Sequence, residues 1–172
     1  MLRNKTNFVD RFYKLNPKIR IYDLDGTIID SSHRAKHDEN GILDLEHWKA
    51  NNTKENIFAD SLLPLYWQLV HDYKQGDIII LCTARELNKH DWEYIHSMGI
   101  YYDYVKSRPV GETMTDWKLK RNLLNPFFNL KPFRKIEKYF YDDNESNLAQ
   151  LSSMGAITFN AKEWNLNCGV KM

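Results

Sequence analysis

Two carboxylates two residues apart, Asp23 and Asp25, close an apolar run in the stretch Ile21-Tyr-Asp-Leu-Asp-Gly-Thr27. The β-branched and aromatic residues before them predict a strand over 18–23, and Gly26 with Thr27 marks the turn that ends it. Period-two alternation aims both acids in one direction, with Leu24 turned away. Two anions held that close need a positive partner, and the hard-oxygen choice is magnesium, completed by waters and a substrate phosphate. A capped turn or a calcium loop also uses Asp-x-Asp-Gly. The calcium pattern lacks its later parts here, since Thr27 takes the next alternate position and no glutamate closes a twelve-residue loop.

More candidate groups fall at later strand ends. The run 77–83 is continuously apolar, as in a strand buried on both faces, and ends in Thr83-Ala-Arg85 before a helix start. A hydroxyl, free amides and a guanidinium there suit phosphate oxygens, although Thr83 as a plain cap and Arg85 as a solvated charge would also fit. A strand over 136–141 runs into a second acidic pair, Asp142-Asp143. One cap needs one oxygen, so a pair asks for more. Between them Asp116 opens a helix that carries Lys118 and Lys120 on different faces, either of which could reach inward.

The order of these elements sets the architecture. Strands at 18–23, 77–83, 101–106 (a polar edge), 136–141 and 156–159 alternate with helices at 60–75, 86–98, 116–128 and 144–154, the third helix disturbed by Pro126. That alternation predicts an α/β doubly wound, Rossmann-like parallel sheet with helices on both faces. Residues 1–17 read as an N-terminal lead-in packed outside, and 18–172 as a single domain. The polar segment 31–58 is too long for a simple loop and reads as a small flap over the carboxylates. With 172 residues there is room for one core, and a net charge of +1 excludes a globally basic nucleic-acid binder. Two cysteines, Cys82 and Cys168, and the lack of a signal or membrane stretch predict a cytoplasmic protein without disulfides or membrane contact, monomeric or weakly dimeric.

Together the four segments resemble the motifs of the haloacid dehalogenase superfamily of phosphatases, in order, over residues 18 to about 160. A nearer resemblance is to the 3′-phosphatase domain of phage-type polynucleotide kinase-phosphatase. It is carried by Arg34 eleven residues after Asp23, Asp44-Leu-Glu46 in the flap, Thr83-Ala-Arg-Glu86, and Asp116 four before Lys120; no kinase P-loop is present. The resemblance implies a haloacid dehalogenase-like fold and an aspartyl-phosphate on Asp23, with Asp25 as acid and then base, favoured in its protonated form by the neighbouring anion. It implies magnesium held by Asp23, Asp25 through its carbonyl and Asp142, with Asp143 as a further ligand or orienting a bound water. Thr83 and Lys120 would hold the phosphoryl group, Asp116 would orient Lys120, and Arg34 and Arg85 would clamp phosphate. The implied substrate is a phosphorylated nucleic-acid end, a 3′-phosphate first and a 5′-mononucleotide second. A phosphatase-like fold that only binds nucleic acid is the rival of another class; its mark would be loss of Asp23 or Asp25, and both are here.

Two further features are weighed against plainer explanations. His33 and His37 with Asp38 could suggest zinc, but without a third histidine or cysteine close by they read as surface residues. Trp48 lies in the flap, where an aromatic ring could stack on a base, while the other four tryptophans read as helix-face or core residues.

Overall fold

The computed structural model describes residues 14–169, so most of the proposed lead-in lies outside the described residues. Seven strands and seven helices follow in chain order: β1 (Ile19–Tyr22), β2 (Ile29–Asp30), α1 (Leu45–Ala50), α2 (Lys54–Phe58), β3 (Ser61–Leu62), α3 (Leu65–Lys74), β4 (Ile78–Cys82), α4 (Lys89–Ser97), β5 (Tyr104–Lys106), α5 (Asp116–Asn129), β6 (Lys138–Asp142), α6 (Glu145–Ser153), β7 (Ile157–Asn160) and α7 (Ala161–Gly169), counted among the described residues. The main sheet has the order β5-β4-β1-β6-β7, and all of its pairings are parallel. β1 sits at its centre, with Ile21 registered against Ile80 and Phe140.

Alternation along the strands builds a core on each face. Ile19 and Ile21 join Ile80, Phe140, Leu124, Phe127, Leu148 and Leu151, covered by α5 and α6. Tyr22, Ile79, Leu81 and Tyr141 join Leu65, Leu69, Tyr94 and Ile95 on the other face, covered by α3 and α4. Asp23 follows Ile19 and Ile21 in parity. It leaves the strand on the α5 side.

Four local expectations are corrected. Ser61 and Leu62 do not open a helix; they form β3, antiparallel to β2, and α3 starts only after Pro64. The second helix starts at Lys89, not Glu86, because Asn88 and Asp91 exchange side-chain and backbone hydrogen bonds in a capping box. α5 runs through Pro126 to Asn129. A last helix, α7, follows β7, capped by Asn160, whose side chain accepts from the amides of Lys162 and Glu163. Trp164 on α7 meets Tyr141 and Phe159 edge to face.

The flap leaves and rejoins the domain through the β2–β3 pair, and between them it forms a 3-10 turn at Ser32–Arg34 followed by α1 and α2. Asp44 caps α1 by accepting from the His47 amide, and Thr53 caps α2 by accepting from Asn56.

Candidate active site

The carboxyl ends of β1, β4 and β6 converge, as ligand sites of open parallel sheets do. Asp23 is 5% exposed, and its carboxylate is 2.8 Å from the Lys120 ammonium on α5. The same ammonium donates to Asp142 at 2.6 Å, so one lysine bridges the ends of two neighbouring strands. Lys118, the other candidate, is exposed beside the Trp117 ring. Asp142 is fully buried and accepts from the Asn144 amide and, through both oxygens at 3.1 Å, from the Asn147 side chain.

Asp143 stands over the turn that follows β1. Gly26 has φ of +69°, and a Cβ there would come within 2.7 Å of the Asp143 carboxylate. Glycine thus lets the second acidic pair approach the first. Ligand oxygens of Asp23, Asp142 and Asp143 lie within 4.8 Å of one another.

Asp25 has different company, and the single direction expected for both acids does not hold. The strand stops at Tyr22, and the Leu24 carbonyl accepts from the amides of Thr27, Ile28 and Ile29, so the alternation ends at Asp23. Asp25 accepts from the Ser31 hydroxyl at 2.6 Å and from both Nε and Nη2 of Arg85. Arg85 also donates to Asp91 on α4 at 2.6 Å. Thr83 is buried and its hydroxyl accepts from the Arg85 amide, which leaves the hydroxyl proton to donate.

These surroundings set the proton affinities. Burial, reinforced by the charges of Asp142 and Asp25, pushes the Asp23 carboxyl well above the usual carboxylate range despite Lys120. Burial and Asp142 also raise Asp143. Burial alone would raise Asp25 as well, but the Arg85 guanidinium and the Ser31 hydroxyl hold it below its ordinary value. The expectation that a neighbouring anion favours protonated Asp25 is therefore corrected for this state of the chain: the adjacent cation outweighs the adjacent anion. Burial would lower Lys120, yet Asp142 and Asp23 hold it above its ordinary value. Beneath them, burial pushes the Cys82 thiol up to about 12, so it stays neutral.

Two expected site residues have other partners. Arg34 is 2% exposed and forms a two-pronged pair with Asp60 at 2.9 and 2.8 Å, with a third bond to Asn52 at 3.0 Å. Asp116 is exposed and pairs with Arg108 at 2.7 Å rather than with Lys120. Sequence reasoning missed Arg108, which also donates to the carbonyls of Ala84, Glu112 and Met114 and so ties the β5–α5 loop to the Thr83 loop. It missed Asp60, Asp91 and Asn147 too. Only Asn147 left a trace, as the amide five residues after Asp142. His33 and His37 are exposed, and the potential metal group among the described residues is the aspartate set alone.

Residues 11–172 match the family of the bacteriophage T5 5′-deoxynucleotidase. The chain belongs to that family. The 5′-deoxynucleotidase of Escherichia phage T5 is itself 37% identical over 100 residues, which are 56% of this chain and 41% of that protein. The chain thus matches well under half the length of this relative. Among solved structures, a chain of the Pnkp1/Rnl/Hen1 RNA repair complex superposes with a TM-score of 0.64 at 20% identity, covering 91% of this chain and 46% of that one. A haloacid dehalogenase-like hydrolase from Streptococcus pneumoniae gives 0.61 at 12% identity, covering 88% and 90%. The fold is that of the haloacid dehalogenase superfamily. No helix among the described residues is long and apolar enough to cross a membrane.

Proposed function

We propose that the chain is a magnesium-dependent phosphomonoesterase that works through an aspartyl-phosphate on Asp23, with 5′-deoxynucleoside monophosphates as its substrates. The observation that carries this reading is the convergence of Asp23, Asp142 and Asp143 around Lys120, with Asp25 beside them. Three hard oxygen donors against one buried ammonium are two negative charges in excess, which fits a divalent cation. Asp23, Asp142, Asp143 and the Asp25 carbonyl would hold magnesium, which supplies charge neutralisation where a phosphate dianion must approach an anionic nucleophile.

The chain's own groups then do the chemistry. The Asp23 carboxylate attacks phosphorus as the ester P–O bond breaks, and Asp25 gives the leaving oxygen its proton. Asp25 then takes a proton from the water that attacks the aspartyl-phosphate, which restores Asp23 and releases phosphate. Lys120 and the Thr83 hydroxyl face the spread charge of the transferring group, where fixed positive and donor groups contribute most. Arg85 holds Asp25 in the free chain, and an incoming phosphate competes for the same guanidinium. Once released, Asp25 regains the proton affinity an acid needs. Arg34 and Asp116, committed to Asp60 and Arg108, have structural roles in this scheme.

Family membership supports the 5′-deoxynucleotide over the 3′-phosphorylated end, which takes second place. The test compares phosphate release from deoxynucleoside monophosphates, 3′-phosphorylated and 5′-phosphorylated oligonucleotides, each with and without magnesium. Mononucleotides should lead, and only with the ion. Faster release from the 3′-phosphorylated oligonucleotide would reverse the order of substrates. Undiminished release by Asp23→Asn would remove the mechanism.

A further inference from the structure

Trp48 on α1 is half-buried, and its ring partners are two cations: the Arg34 guanidinium lies 4.3 Å from the ring centroid and that of Arg85 lies 5.3 Å from it. Trp92 and Trp164 pack against the α3–α4 core, whereas Trp48 belongs to neither hydrophobic core among the described residues. Its position therefore needs another explanation than core filling.

The contacts give its place relative to the reaction. Arg85 touches both the Trp48 ring and the Asp25 carboxylate, so the indole stands one side chain beyond the acid assigned to the leaving oxygen. Whatever departs with that oxygen extends toward this side. The platform is also stiff. Arg34 is fixed by Asp60 and Asn52, Arg85 keeps its bond to Asp91 when phosphate draws it from Asp25, and the Asn52 carbonyl accepts from the Asn88 side chain at 3.2 Å, which docks the flap on the loop before α4. A ring held in advance loses little freedom when a ligand stacks on it.

We infer that Trp48 is the stacking platform for the nucleobase, making the flap the part of the chain that tells a nucleotide from a bare sugar phosphate. The inference rests on the phosphomonoesterase reading and adds the group that recognises the base. A planar base has a π-face whatever its identity, so the platform would accept all of the deoxynucleotides with modest preferences.

The test compares dAMP with 2-deoxyribose 5-phosphate, which lacks the base, on the wild-type chain, Trp48→Ala and Trp48→Phe. The preference for dAMP in kcat/KM should fall at least tenfold in Trp48→Ala, with the loss in KM, and Trp48→Phe should keep most of it. Tenfold corresponds to about 1.4 kcal/mol, within the range of base–aromatic stacking. An unchanged preference in Trp48→Ala, or an equal loss on both phosphates, would overturn the inference. A second arm needs no turnover. In the Asp23→Asn background dAMP should quench tryptophan fluorescence, and adding Trp48→Phe should remove the quench. A Trp48-dependent quench in a chain whose wild type releases no phosphate would keep the base platform and discard the hydrolase. Turnover with neither preference nor quench depending on Trp48 would do the reverse.

Discussion

On the α5 side of the β1 terminus, Asp23, Asp142 and Asp143 face the Lys120 ammonium, with Lys162 reaching Asp143 from solvent at 3.6 Å. On the flap side, Asp25, Asp60 and Asp91 face the guanidiniums of Arg34 and Arg85. Both groups are mostly buried, but the second gives its acids paired, several-point bonds while the first crowds its acids around one buried point charge, its second cation, Lys162, reaching only Asp143 from the solvent edge. The proton affinities follow. Asp23 and Asp143 are pushed upward by burial and by Asp142, whereas Asp25, which burial also opposes, is pulled down by Arg85. An electrostatically incomplete cluster holds strain that a ligand can relieve, and a nearly complete one works as a strut that fastens the flap. Three experiments separate these roles.

The largest effect is expected from Asp23→Asn. Turnover should fall by three orders of magnitude or more, about 4 kcal/mol of transition-state stabilisation, because the amide cannot form the acyl phosphate. Stability should move the other way. In EDTA the folded chain disfavours ionised Asp23 more than the unfolded chain does, so at pH 7 the neutral variant should melt at the same temperature or higher. A variant that loses activity by unfolding would erase the distinction between the clusters.

That asymmetry also explains what could be read from the residues alone. Asp23, Thr83 and Asp142-Asp143 each follow an apolar run, and the end of a buried strand is visible in sequence because hydrophobicity stops there. Lys120 was legible as one of two lysines, and the buried face of α5 selects it over Lys118. The flap strut left no such pattern. Arg34 and Asp60 are 26 positions apart and meet only because β2 pairs with β3, strands of two residues that no periodicity announces. Asp91 sits in the first turn of α4, whose start the Asn88 capping box sets at Lys89, three residues later than apolar spacing indicates. α7 was missed although Asn160 is a good cap, because Ala-Lys-Glu-Trp after it is too short a stretch to show an apolar face.

The flap-side strut should fail differently. Asp60→Ala would leave Arg34, whose side chain is 1% exposed, buried beside no matching carboxylate, at a cost of about 3–5 kcal/mol in urea unfolding. Replacing both partners, as in Arg34→Met with Asp60→Leu, should recover much of that loss, since two apolar groups need no pairing. Recovery in the double variant together with a lowered preference for dAMP over its base-free analogue would link the strut to the Trp48 platform. If the single variant costs no stability, the flap cluster is not the closed unit its bonds describe.

The smallest effect, and the one that addresses the incomplete cluster itself, is its response to magnesium and pH. Asp23 and Asp143 have folded-state affinities for protons above those of the unfolded chain. Without an ion, their contribution to stability is therefore greatest below the ordinary carboxylate range and declines as pH rises through the raised values. A bound cation reverses the slope, because it takes the ionised carboxylates and protons compete with it. Magnesium should thus raise the melting temperature little at pH 5.5 and more at pH 8, approaching about 2.7 kcal/mol when the ion is a hundredfold above its dissociation constant. Asp142→Asn should flatten the response at both pH values, whereas Asp91→Asn, on the flap side, should leave its slope in place. An equal shift at both pH values, retained in Asp142→Asn, would mean that the ion binds elsewhere and that the crowding around Lys120 is relieved by protons alone.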